Sequence, residues 1–479
     1  MDFLSDTVVL SRMQFALTAI FHMIWPVLTT GLGIYLVVLE GLWLKTGQKD
    51  YYHHARFWAK LYVLNFGIGV ASGIPMGFQF GTNWAPLSEA IGNFFGSIIG
   101  FEASWAFMLE AAFLGIMVFG WERVNPIIHY MATILVAIGA NLSTFWILTA
   151  NSWLQTPAGV EFINGKYEVI DYVAAVFNPF MINSVMHMVL ATLETSLFVI
   201  GGISAWYIFK QRHTEFFSKS FKIVLVIVIA VAPLQIYVGH LSGEQVQEYQ
   251  PTKLAAMEAQ WETIPAGQSA DWSLLAIPNE KTEQNDWEIK IPQALGYILE
   301  LQPTLSKPVL GLKEWHPEQR PHLVGLIYYA FRTMIAIGFF LAGLMLVSIL
   351  QWARGKLSPD RITQQRWLLA AWIFAAPLGY IAIESGWIVR CVGRQPWTVY
   401  NTIRTSDAAA NLPPEDVLFT LIFFAVTYTC LLFAALYFGR RILIKGPNLE
   451  LAIPGQNQPV LGLNPGEFKR DRRPEEAQK

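Results

Sequence analysis

This sequence predicts an all-α integral membrane protein, with about nine transmembrane helices and one long extracytoplasmic loop between helices six and seven. Three observations carry that prediction. Only 14% of the 479 residues are charged and 54% are hydrophobic, whereas about a quarter of a soluble domain is charged. Nine apolar runs are near the ~20 residues that cross a bilayer as helix, where the backbone must satisfy its own hydrogen bonds. Lysine and arginine gather in alternate loops, the asymmetry that orients membrane proteins.

In chain order the runs are Phe15–Trp43, Phe57–Phe78, Phe94–Gly120, Ile128–Thr149, Ile182–Phe209, Phe221–Gly239, Leu326–Trp352, Trp367–Val389 and Leu418–Phe438. Met1–Phe15 is too short and too weakly basic for a cleaved leader, so the first run reads as a retained anchor. Basic clusters at Lys45/Lys49/Arg56/Lys60, Lys210/Arg212/Lys219/Lys222, Arg354/Lys356/Arg361/Arg366 and Arg440/Arg441/Lys445 share one side, and the short loops of the other side hold only Lys166. The basic side is expected to be cytoplasmic, which places the N-terminus and the long loop outside. Four segments follow: residues 1–240 with six spans, the outer loop 241–324, three more spans in 325–445, and a flexible cytoplasmic tail, 446–479. The net charge of −2 gives no nucleic-acid signal, and two cysteines suggest no disulfide framework. No internal repeat is visible, which weighs against a transporter.

Ionisable residues within spans are costly and mark function. Of nine histidines, only His22 and His187 are expected well inside spans. The carboxylates there are Glu102 and Glu110 on the third span, Glu194 on the fifth and Glu384 on the eighth, with Glu40 near the inner end of the first. Counted from the outer end, His22, Glu102, His187, Met334 and Glu384 each lie roughly 5–10 residues deep, about 8–15 Å. Imidazole and thioether together suit a low-spin haem iron; an interhelical hydrogen bond for His187 and plain packing for Met334 are the competing readings. Pro26 cannot donate to the carbonyl of His22, so a kink beside that imidazole is expected. Glu102 and Glu110, about 80° apart on an α-helix, are candidate proton steps, or else neutral carboxyls bonded to neighbouring helices. Arg332, Arg390 and Arg394 have the forked geometry that suits carboxylates such as haem propionates, and Arg390 could equally snorkel at the interface. In the loop, KLAAMEAQW at Lys253–Trp261 has helix-forming composition.

LSRMQFALTAIFH at the start, GTNW at Gly81–Trp84, the Glu102/Glu110 pair, KLAAMEAQWET, AFRTM and GRQPW at Gly393–Trp397 together resemble subunit I of the cytochrome bd-type quinol oxidases, from Leu10 to about Arg440. The resemblance implies a terminal oxidase that takes electrons from quinol at the outer face and reduces O2 to water through three haems, building a proton gradient without a pump. It implies that His187 and Met334 hold a low-spin haem b. His22 and Glu384 would be ligands in a high-spin pair, with Glu102 nearby; which ligand serves which haem stays open. It ties Lys253 and Glu258 to quinol oxidation, Glu110 to proton delivery, and Arg332 and Arg394 to the haem surroundings. The loop resembles the short version, which leaves open whether the high-spin pair is haem b with haem d or with a further haem b. Implied partners are subunit II and membrane lipid, with a small single-span subunit as a further candidate, and the implied location is the bacterial cytoplasmic membrane. A quinone-linked dihaem cytochrome without O2 reduction and, from another class, a multi-span transporter are the alternatives.

Overall fold

The computed structural model describes residues 5–451 and 453; the expected tail lies almost wholly outside them. Among the described residues nine helices are long and apolar enough to cross a membrane, and no sheet exceeds two strands. The chain is an all-α integral membrane protein.

The helices outrun their apolar runs. Helix α1 (Thr7–Thr46) begins where the Asp6 carboxylate accepts from the amides of Val8 and Val9, and stops at Gly47, whose positive φ of 66° closes a left-handed cap. Its 40 residues include Pro26 without ending there. At about 60 Å it is about twice the thickness of the hydrocarbon core. It runs through the middle of the bundle, packing on α2 (Lys49–Gly81), α4 (Pro126–Gln155), α5 (Met181–Phe209) and the last helix, α10 (Pro414–Lys445). Helix α3 (Ala85–Phe119) is wound as a π-helix between Glu102 and Phe107. Helices α6 (Thr214–Tyr249), α8 (Val324–Ala353) and α9 (Arg366–Val392) complete the spans, α9 being interrupted at Pro377. The main apolar core joins Leu32, Tyr35, Trp58, Tyr62, Phe198, Phe217 and Trp372.

Helix α6 continues to Tyr249, so the expected boundary at residue 240 falls inside it: Gly239 to Tyr249 reads as polar sequence but extends the span. Short helix α7 (Pro251–Glu258) follows, started by Pro251 in its first turn and ended by Ala259 at φ 48°. Every residue from Thr252 to Glu258 is buried. Leu254 and Met257 join a second apolar cluster with Trp261, Leu295, Leu312, Ile327 and Val389, and each such side chain contributes about 1.5–3 kcal/mol. The long loop is therefore a packed roof on α6, α8 and α9. A hairpin of β1 (Val160–Ile163) and β2 (Lys166–Val169) stands in the loop between α4 and α5, and the roof holds an antiparallel ribbon, β3 (Trp272–Asn279) with β4 (Gln284–Ile291).

Candidate functional site

Helix α8 carries Arg332 two residues before Met334, and the roof closes directly on it. The Arg332 guanidinium donates through Nη2 to Glu258 Oε2 at 2.7 Å, and through Nε and Nη2 to the Ser273 carbonyl at 3.1 and 2.8 Å. Trp272 and Tyr328 flank it, with the guanidinium carbon 4.7 and 4.5 Å from the ring centroids. Both partners are buried, at 8% and 3% exposure. Such a pair is most stable when its remaining polar atoms are also bonded; here α7, the β3 backbone and α8 meet on one charge, while Arg332 Nη1 is buried without an acceptor among the described residues. Glu258 Oε1 makes no hydrogen bond among the described residues, which leaves one lone-pair face for an incoming donor.

Lys253 turns to a different place. Its Nζ donates to Gln155 Oε1 at 2.6 Å, while Gln155 also receives the Gln250 amide on its backbone carbonyl and donates to the Arg390 carbonyl. Gly393 of GRQPW is where Lys253 passes: a Cβ there would stand 2.9 Å from Lys253 Cγ. Burial, then Arg390 and Arg394, hold the Lys253 ammonium well below its ordinary pKa. Burial likewise lowers Arg394. Arg390 does not snorkel; it donates to Ser184 Oγ at 3.0 Å and to Asn151 Oδ1. Arg390 Nη2 and Arg394 Nη1 are buried without acceptors among the described residues. Three cationic groups with spare donors and no bonded carboxylate make a cradle for an anion.

His187 and Glu384 show the same incompleteness: His187 Nδ1 and Glu384 Oε2 are buried without partners among the described residues. Ser72 Oγ lies 3.0 Å from His22 Nδ1, fixing that ring by a second helix as iron-binding imidazoles require. Glycine faces three of the four candidate ligands: built Cβ atoms at Gly73, Gly239 and Gly386 would come 2.9 Å from His22 Cε1, 3.5 Å from His187 Cε1 and 3.1 Å from Met334 Sδ. Side chains at Gly73 and Gly386 would crowd their ligands, whereas the contact at Gly239 is an ordinary one. No cluster of three or more His, Cys, Asp or Glu that could hold a bare metal ion occurs among the described residues; a haem iron needs only one or two protein ligands. The donor set fits haem.

Glu102 opens the π-wound turn of α3 and Glu110 lies just beyond it. Ser143 of α4 donates to Glu102 Oε1 at 2.6 Å, and Tyr62 of α2 to Glu110 Oε1 at 2.9 Å. The expected 80° offset assumed uniform α geometry; i→i+5 winding from Glu102 to Phe107 adds a residue to that turn and resets the phase, as at many functional positions. Glu194 is also buried.

The basic end adds buried histidines to the two expected well inside spans: His54 and His129 are fully buried near the starts of α2 and α4. His129 Nδ1 lies 2.9 Å from Glu40 Oε2, Thr133 donates to Glu40 Oε1 at 2.8 Å, and His129 Nε2 lies 3.0 Å from the Met117 carbonyl. A carbonyl can only accept, so Nε2 carries a hydrogen, and the Nδ1–Glu40 contact holds one proton between acid and imidazole. His129 is the second residue of the run that begins at Ile128, so by depth it does not count as well inside a span.

A family model described as cytochrome bd terminal oxidase subunit I matches residues 10–447. The chain belongs to that family. It is 34% identical to the cytochrome bd-II ubiquinol oxidase subunit 1 of Escherichia coli K12, covering 95% of this chain and 99% of the relative. It is 33% identical to the cytochrome bd ubiquinol oxidase subunit 1 of Bacillus subtilis 168, covering 88% and 90%. Among solved structures, the bd oxidase of Geobacillus thermodenitrificans superposes with a TM-score of 0.84 at 30% identity, over 92% of this chain and 99% of that one. The chain is thus a transmembrane oxidoreductase subunit of respiratory electron transport, in a family that implies haem.

Proposed function

We propose that this chain is the haem-bearing subunit of a bacterial cytoplasmic-membrane oxidase. It oxidises quinol at the face of the α7 roof and reduces O2 to water with protons drawn from the basic, cytoplasmic face. The N-terminus and roof lie outside, by the loop charge asymmetry, and a subunit II completes the assembly. The observation that carries this reading is the buried Glu258–Arg332 pair, which joins the roof to the helix of Met334.

His187 and Met334 would hold a low-spin haem b. His22 and Glu384 would serve the high-spin pair, a haem b with a haem d or a second haem b. When bound, these haems supply electron transfer and the binding and reduction of O2. Everything else falls to the side chains. Glu258 accepts a quinol proton on the oxygen that Arg332 leaves free, while Arg332 fixes the carboxylate in place. Lys253, Arg390 and Arg394 bind haem carboxylates, so Lys253 acts at quinol oxidation through the neighbouring haem. Glu110 takes protons arriving from the basic side and passes them toward Glu102. Because quinol protons leave at one face and O2 takes protons from the other, turnover charges the membrane without a pump.

The test is a reduced-minus-oxidised spectrum of the purified oxidase, with and without carbon monoxide, and the same for Glu258→Gln. Low-spin and CO-sensitive high-spin signals are expected in both, with quinol turnover reduced in the variant and turnover from a donor that bypasses the quinol site retained. A colourless protein, or a variant failing equally with both donors, would overturn the reading.

A further inference from the structure

The β3–β4 ribbon has two unlike faces. On one, Ser273 and Ala276 are buried, and their carbonyls accept from Tyr328 and Tyr329 of α8, each at 2.8 Å. Glu288 turns to the same side, accepting from Ser273 Oγ and Asn285 Nδ2. On the other face, cross-strand pairs Leu275–Ile289 and Ile277–Trp287 stand side by side. These four are 46, 44, 49 and 50% exposed. A lone two-stranded ribbon is marginal in water unless it packs on a helix, as this one does on α8; its bare face of three aliphatic side chains and an indole marks a further contact surface.

The height of the ribbon identifies what it meets. It runs along the start of α8: Ser273 bonds Arg332, Ala276 bonds Tyr329, and Glu280 in its turn accepts from the Leu323 amide at 3.3 Å. Helix α8 has 30 residues, about 45 Å, so it exceeds the ~30 Å hydrocarbon core by about 15 Å. Arg354 and Lys356 fix the far end of α8 at the basic surface. The surplus is therefore at the start, between Val324 and about Arg332, which is headgroup depth. Because the ribbon lies along the helix with its covered face inward, its free face points sideways into that layer. Leu326 and Tyr329 beside it are exposed and share one side of α8 with Phe340, about 16 Å further into the core. The free face thus continues the apolar surface of a membrane span.

We propose that the β3–β4 ribbon is an interfacial anchor whose Leu275, Ile277, Trp287 and Ile289 lie against phospholipid at the headgroup–acyl boundary. Tryptophan suits that layer, its ring apolar and its N–H wet. The anchor holds Trp272 and the Glu258–Arg332 pair at the level where a lipid-dissolved substrate emerges, a consequence that rests on the quinol reading; the anchoring does not.

The experiment uses the complete oxidase in nanodiscs of phospholipid bearing a diazirine near the acyl carbonyl. After photolysis, peptide mapping is expected to find lipid adducts on residues 275–289, and Ile277→Glu/Trp287→Glu should lose them. The same variant should show a several-fold higher KM for a long-tailed quinol than the parent, with KM for a short-tailed, water-soluble quinol unchanged. Wild-type ribbon that carries no lipid adducts and reacts with aqueous carbene reagents instead, or that cross-links to subunit II or a second copy, overturns the anchor. If lipid adducts appear but neither quinol is oxidised, the anchor stands and the quinol reading fails.

Discussion

Replacing Arg332 by methionine isolates what holds the roof to the bundle. The variant keeps an unbranched side chain between Trp272 and Tyr328 but removes the cation, stranding the Glu258 carboxylate at 3% exposure and the Ser273 carbonyl with one donor from Tyr328. Breaking one side of a buried pair costs about 3–5 kcal/mol. At about 1.4 kcal/mol per tenfold, local opening of the roof becomes about a hundredfold to a few thousandfold more frequent. Hydrogen exchange by mass spectrometry reads this directly: protection of peptides covering residues 251–279 should fall by that factor, up to the limit of their own stability. Peptides of the main core, such as residues 52–62, should not change. Adding Glu258→Leu removes the stranded charge and should restore most of the protection, since apolar replacement of a whole buried pair is near neutral. Unchanged protection in Arg332→Met would refute the reasoning, because the roof would then be held by its apolar cluster alone.

Four further outcomes are expected. His187→Ala and Met334→Leu should each abolish the low-spin haem absorbance while the protein still inserts; normal low-spin spectra in both would remove the assignment. Glu110→Gln keeps an oxygen for the Tyr62 hydroxyl but cannot relay a proton, so O2-reduction turnover should drop with little change in quinol KM, and full turnover would make Glu110 structural. His129→Ala strands Glu40 and should cost about 3–5 kcal/mol in thermal unfolding, with Glu40→Leu/His129→Leu regaining most of it; equal stability of single and double variants would contradict the pair. In the roof, burial alone would push the Glu300 carboxyl up, but hydrogen bonds from Ser306, Gln302 and Lys307 outweigh it and bring it to about 2. Since that is below the unfolded value of about 4.3, its contribution is complete above that pH and is lost as pH falls toward 2; hydrogen exchange around Ser306 should show this loss, and Glu300→Gln should not.

The spans were legible because the bilayer imposes length and hydropathy together, and because a histidine or glutamate among some twenty apolar residues stands out. That isolates His22, His187 and Glu384 without any knowledge of partners. Counting depth along straight helices then sorted them, but the same counting failed wherever helix and apolar run differ. His129 sits in the first turn of α4, the second residue of its apolar run, and the sequence there resembles any loop edge; only the packing of α1, α3 and α4 buries it on Glu40. The π-winding from Glu102 to Phe107 has no compositional mark, since EASWAF would serve an α-helix equally well. Arg332 was legible as a charge in a span. Its acid, 74 residues earlier, belongs to a loop whose fold no periodicity describes.

The ribbon shows a different reason for illegibility. Strand alternation should betray it, yet the register shifts between Ser273 and Leu275 and between Ile277 and Pro278 break the two-residue period in WSLLAIPN. Where the period does hold, it has the opposite sign from a soluble sheet: small or polar Ser273, Ala276 and Glu288 turn inward, and Leu275, Ile277, Trp287 and Ile289 turn outward. The rule that apolar residues face the core assumes that the alternative is water. For a strand beside the first turns of a membrane helix, the alternative is lipid, and the inversion becomes the low-energy arrangement: the backbone carbonyls find the tyrosines and Arg332 of α8, while the aliphatic face finds acyl chains. A long polar-looking loop in a membrane protein therefore has to be read against two solvents, and the strand whose pattern fits neither a soluble sheet nor a span is the one that lies between them.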